Sequence, residues 1–145
     1  DEVKADIDEY NTYINNQLAT GAKPYKNYYR SRTGGNYLDF KTADEDYVII
    51  AKNYKSLRVV NHIYVRANDE GRLYLPDGTY VIYFYGGRGW NPHKEMGNVV
   101  GGFVAYEHVQ KDGPIKLYGN YGEYTLYPVE NGNLNLEAST TAEAL

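Results

Sequence analysis

The side chains best suited to chemistry crowd into residues 86–97, Gly-Gly-Arg-Gly-Trp-Asn-Pro-His-Lys-Glu-Met-Gly. Arg88, Asn91, His93, Lys94 and Glu95 bring a cation, an amide, an imidazole and a carboxylate close to Trp90, the only tryptophan. The glycines permit close backbone approach and positive φ. A tryptophan with polar neighbours offers a stacking face beside hydrogen-bonding groups, the chemistry of a carbohydrate or peptide contact. Arg88, Trp90, Asn91, His93 and the preceding Tyr85 are therefore the candidate ligand-binding residues. The competing reading is a long crossover loop whose tryptophan plugs one end of the fold. A phosphate loop would need GxxxxGK[ST], or GxGxxG ahead of a helix, and this stretch supplies neither.

Other chemistries find less. His62, His93 and His108 lie in separate segments without HxH or HExxH spacing, which argues against catalytic zinc. His62 falls in an alternating stretch and is expected to be half-exposed; His93 and His108 could approach one another in space. The acidic run Asp44-Glu45-Asp46, with Asp39 nearby, lacks EF-hand spacing and reads as a solvated turn. Ser31, Ser56 and Ser139 lie in connectors or near the C-terminal end, and no GxSxG is present. No pair of carboxylates announces itself for glycoside cleavage. The chain is expected to be non-catalytic, with no metal and no cofactor.

The whole composition points the same way. The chain has 145 residues, enough for one domain. Its net charge of −4 argues against nucleic acid as a partner, because phosphate affinity needs a basic surface. No apolar run approaches the length of a membrane-spanning helix, so direct membrane insertion is not expected. Cysteine is absent, which excludes disulfides and thiolate chemistry. Tyrosine is the anomaly, with 18 residues against 3 Phe and 1 Trp. A tyrosine can bury its ring while its hydroxyl reaches water, so part of this set belongs to the core. The remainder suits protein–protein contact, and copies of the same chain are the expected partner.

The elements that must position these residues change character along the sequence. Val3, Ile7, Tyr10, Ile14 and Leu18 recur on one face of a 3.6-residue period. They predict a helix over residues 1–21, with Gly21 as its cap and Pro24 beyond. Residues 22–35 read as a connector carrying Lys23, Lys26, Arg30 and Arg32 among Tyr25, Tyr28 and Tyr29. It is either a contact surface for an anionic partner or a solvated linker whose tyrosines cover the sheet. From residue 36 the period becomes two. Tyr47 to Ala51 is a continuous apolar run suited to a buried strand. Further strands are expected around Leu57–Ala67, Leu73–Leu75, Tyr80–Tyr85, Val99–Glu107, Ile115–Tyr118 and Glu123–Val129. A last one is expected at Leu134–Leu136, after an Asn131-Gly132 turn. With no helical pattern between them, they predict an antiparallel β-sandwich of about seven to eight strands over residues 36–145.

Two resemblances follow from these motifs. Leu73 to Tyr85 (LYLPDGTYVIYFY) resembles the strand-turn-strand hairpin of transthyretin-like and carboxypeptidase-regulatory-like sandwiches, which implies a non-catalytic module. Several motifs recur together: Leu75-Pro76-Asp77-Gly78-Thr79-Tyr80, Phe84 to Pro92 with Lys94-Glu95-Met96, Gly101-Gly102-Phe103-Val104, Lys111-Asp112-Gly113-Pro114 and Glu143-Ala144-Leu145. This set resembles an uncharacterised envelope-protein family of Bacteroidetes-type bacteria with a GKGWNP-like loop. The resemblance implies an exported, extracellular or envelope location and implies no activity. The expected function is structural, through self-association as an oligomer or filament subunit, with Val3, Ile7, Tyr10, Ile14, Tyr28 and Tyr29 as candidate contact residues. The alternative is a glycan- or small-ligand-binding module built on residues 86–97, with a glycan or another envelope protein as partner.

Overall fold

An uninterrupted apolar run such as Tyr47 to Ala51 needs apolar partners on both faces of its strand. The fold supplies them. In the computed structural model, which describes residues 2–28, 34–127 and 136–145, eight strands form two sheets. Strands β1 (Asn36–Lys41), β4 (Glu70–Leu75) and β7 (Tyr121–Thr125) make a three-stranded sheet in the order β4-β1-β7. Strands β2 (Asp46–Asn53), β3 (Val59–Val65), β5 (Gly78–Glu95), β6 (Val100–Leu117) and β8 (Glu137–Ser139) make the other sheet, in the order β3-β2-β5-β6-β8. The ladders among the described residues are antiparallel except β1 with β7, which run parallel. Helix α1 (Glu2–Tyr13) precedes the strands and a one-turn helix α2 (Thr141–Ala144) follows them. The protein is the expected mainly β sandwich with an N-terminal helix.

Alternation within β2 and β5 divides the core in two. Tyr47, Ile49, Ala51, Ile82 and Phe84 point between the sheets and meet Leu38, Phe40, Leu73 and Leu75 of the three-stranded sheet. Val48, Ile50, Val81, Tyr83 and Tyr85 point the other way, into a second core closed by Tyr25, Trp90, Phe103, Ala144 and Leu145. The centre of the five-stranded sheet, at β2 and the first half of β5, is thus covered on both faces. The outer face of the three-stranded sheet lies open to solvent.

Three expectations are corrected. Helix α1 stops at Tyr13, short of the 1–21 span, and Gly21 does not cap it. The chain leaves the helix because Asn16 docks on the β5 backbone: Trp90 N donates to Asn16 O at 2.9 Å, and Asn16 Nδ2 donates to Trp90 O at 2.7 Å. The following residues form a strap along the free edge of β3 rather than a solvated linker, although Tyr25 covers the sheet as that reading expected. Gly21 N donates to Tyr64 O at 2.8 Å, and Tyr64 N donates to Ala22 O at 2.9 Å. Arg66 N donates to Thr20 Oγ1, and Lys23 Nζ donates to His62 O. An open strand edge invites pairing with other chains, and the strap occupies this one. The Pro76-Asp77 turn, finally, carries the chain from one sheet to the other and closes no hairpin, since β4 and β5 belong to different sheets. The Asn131-Gly132 turn and most of the expected strand after it lie outside the described residues.

Candidate functional site

Residues 86–97 are strand for most of their length. β5 continues through Glu95 because β6, equally long, pairs with it, with register shifts between Gly86 and Arg88 and between Asn91 and Glu95. Trp90 is only 1% exposed. Tyr64, Phe103 and Tyr25 surround the indole at ring-centroid distances of 5.5, 5.2 and 5.9 Å. A Cβ at Gly101 would stand 2.6 Å from Trp90 Cζ2, so the bare glycine backbone closes the remaining side. The indole is a core plug and presents no stacking face. Tyr85 is also buried; its hydroxyl donates to Glu107 Oε2 at 2.5 Å and accepts from Phe103 N at 2.9 Å. Burial, then the Glu107 carboxylate, pushes the Tyr85 phenol well above its ordinary pKa. Asn91 donates to Glu9 Oε2 of α1 at 2.8 Å, while its Oδ1 accepts from His93 N at 2.9 Å. Only Arg88 and His93 of the candidate set face solvent. The structure therefore scatters these five residues between core and surface and builds no shared pocket from them.

The histidines and acids are similarly committed. His62 is fully buried rather than half-exposed, because the strap lies over it: Tyr25 N donates to its Nε2 at 3.0 Å and the Tyr25 ring stacks on it at 5.7 Å. His62 Nδ1 has no partner. His108 meets Glu45 at 2.9 Å, opposite Gly86 in the ladder, whereas His93 lies near the far end of the β5–β6 hairpin. Asp46 is buried and accepts from Gln17 Nε2, Ala67 N and the Tyr64 hydroxyl. The acidic turn is therefore not simply solvated; two of its three carboxylates hold the fold together. Among the described residues no group of three or more histidine and acidic side chains could hold a metal ion. No described helix is long and apolar enough to cross a membrane.

Among the described residues, two surfaces present aromatic or apolar side chains in an ordered row. The first is the outer face of the three-stranded sheet, where register lines up residues from all three strands. Tyr74, Tyr37 and Tyr121 stand directly across from one another, followed by a row of Arg72, Asp39 and Glu123. Tyr37 and Tyr121 stack at 5.1 Å with an interplanar angle of 9°. From the opposite side the Arg72 guanidinium lies 3.8 Å from the Tyr37 centroid, and it holds Asp39 through bonds of 2.7 and 3.0 Å. Beyond this row, residues 39–41, 70–72 and 123–125 line a groove of ≈ 420 Å³. The second surface is α1. It has no buried residue, and Val3, Ile7 and Tyr10 are 69%, 53% and 42% exposed. Ile14, half-buried, anchors its end against β5, with its Cα 2.7 Å from where a Cβ on Gly89 would sit. Tyr28 is half-buried beside Tyr25 and His62, and Tyr29 lies outside the described residues.

The tyrosine face was not marked as a site by the sequence, although its alternation is present in Tyr37-x-Asp39-x-Lys41 and Tyr121-x-Glu123-x-Thr125. The missing information was register: a parallel pairing of β1 with β7 cannot be read from either segment alone. Comparison with protein-family models, with curated proteins and with solved structures finds no match for the chain.

Proposed function

We propose that this protein is a non-catalytic structural module of the cell envelope or extracellular space that associates with copies of itself through α1. The observation that carries the proposal is the stripe Val3, Ile7 and Tyr10, which runs on to Ile14 where the end of the helix docks on β5. Its four-three-four spacing is that of the inward positions of a coiled coil, narrower than the stripe a helix needs to pack on a globular core. Three of these four side chains stand in solvent, so a second copy of the helix is the partner their spacing fits. The non-catalytic part is supported by how the titratable side chains of β5 and β6 are used. Lys94 and Tyr85 both donate to Glu107, and His108 is tied to Glu45. The location rests on the family resemblance alone.

Light scattering across a concentration series tests this. The mass of the wild-type protein should rise towards a dimer or larger assembly with concentration. Ile7→Asp should hold it at the monomer without moving the thermal midpoint, because Ile7 contributes nothing to the core. A monomeric mass at every concentration, or assembly that survives Ile7→Asp, would sink the proposal.

A further inference from the structure

We infer that the outer face of the β4-β1-β7 sheet is a binding site for a neutral oligosaccharide. The argument begins with the stack. Arg72, Tyr37 and Tyr121 come from three adjacent strands, and the guanidinium and the second tyrosine flank the Tyr37 ring from opposite sides. Side chains held against each other in this way are already ordered, so a ligand does not have to immobilise them. The stack ends at Tyr121, on the outermost strand of this sheet among the described residues, and the Tyr121 side chain is 63% exposed, so it offers ring surface beyond its contact with Tyr37. An open aromatic face offers an apolar platform for the C–H face of a sugar ring.

The groove beside the stack specifies the rest of the ligand. Its volume, ≈ 420 Å³, lies in the range of small-molecule sites. Acceptors and donors are mixed across it. Arg72, Asp39 and Glu123 form one row, and Glu70, Lys41 and Thr125 form the next. Rows two residues apart are separated by about 7 Å and strands by about 5 Å, so the tyrosine row and both polar rows span about 14 Å. That length accommodates more than one sugar ring. A hydroxyl both donates and accepts, so a polyhydroxylated chain can use carboxylates and cations in turn. The mixed signs repel neither class and select neither: two cations against three carboxylates do not make a phosphate or sulfate site, and the carboxylates are not gathered as they would be for a cation. Lys41 and Glu70 are far enough apart, at 3.5 Å, and exposed enough to exchange each other for a ligand at little cost. Arg72 and Asp39 stay paired, and both line the groove.

Isothermal calorimetry on the whole chain tests this with five probes: cellotetraose, maltotetraose, chitotetraose, an α-linked mannotetraose and a heparin tetrasaccharide. At least one of the four neutral probes should bind. Tyr121→Ala should weaken that binding about tenfold or more, equivalent to about 1.4 kcal/mol, while the protein stays folded and its thermal midpoint falls by no more than a few degrees. Thr125→Arg, which fills the groove from an exposed position, should abolish it. Tyr106→Ala removes an equally exposed tyrosine on the other sheet and should leave binding intact. Failure of all four neutral probes overturns the inference. So does binding of the heparin fragment alone, or binding that survives both Tyr121→Ala and Thr125→Arg.

Discussion

Trp90 and His62 show how completely the second core depends on single side chains. Trp90→Ala would empty the space enclosed by Tyr25, Tyr64 and Phe103, and the loss expected for such a truncation is about 3–5 kcal/mol. Denaturant unfolding measures it; a loss below about 1 kcal/mol would mean that the indole is not the plug described above. His62 carries a pH dependence whose sign follows from its burial. Burial first, and Lys23 second, lowers its pKa to about 4 in the folded protein, against 6.5 for an unperturbed histidine. As pH falls the unfolded chain takes up this proton first. Stability is therefore intact above about pH 6.5 and declines as pH falls towards 4, by about 3 kcal/mol from this group. His62→Gln can still accept from Tyr25 N but does not titrate, so its unfolding midpoint should fall less steeply over that window. Parallel slopes for the two proteins would contradict the assignment.

The strap of residues 18–25 is an element that no regular secondary structure defines, yet it closes the β3 edge. Gly21 has φ of +99° and donates to Tyr64. Proline can satisfy neither requirement, so Gly21→Pro should lift the strap, destabilise the fold by more than about 1 kcal/mol and leave β3 open to pairing. Light scattering during heating should show aggregation at a lower temperature than for the wild type; unchanged behaviour would mean the edge needs no cover. The strap also shows where sequence is a poor guide. Tyr47 to Ala51 could be read as a doubly buried strand, because the cause of the pattern lies within it. The end of α1 could not, because the group that stops the helix is the Trp90 backbone, far along the chain. Residues 86–97 mislead for the opposite reason. Their glycines and Pro92 look like loop punctuation, but β6 pairs with them and its register shifts absorb the irregularity. The tyrosine count signalled surface contact, and only strand register could say that Tyr37, Tyr74 and Tyr121 share one row.

At the scale of the molecule the two sheets have different duties. The centre of the five-stranded sheet, β2 and the first half of β5, is buried on both faces; the three-stranded sheet keeps one face for the core and presents the other. Their strands also differ in when they can pair. β2 meets β3 and β5 meets β6 as neighbours along the chain, whereas β1 waits for β4 on one side and for β7 on the other. Pairing between distant segments is slow and leaves apolar surface open in the meantime. During synthesis, β1 leaves the ribosome before every other strand and acquires its second neighbour only when Tyr121 to Thr125 have emerged. Leu38 and Phe40 lack their full cover for that interval, and the parallel β1–β7 ladder completes the tyrosine face only after the other strands but β8 have emerged, with β8 and α2 closing the second core after it.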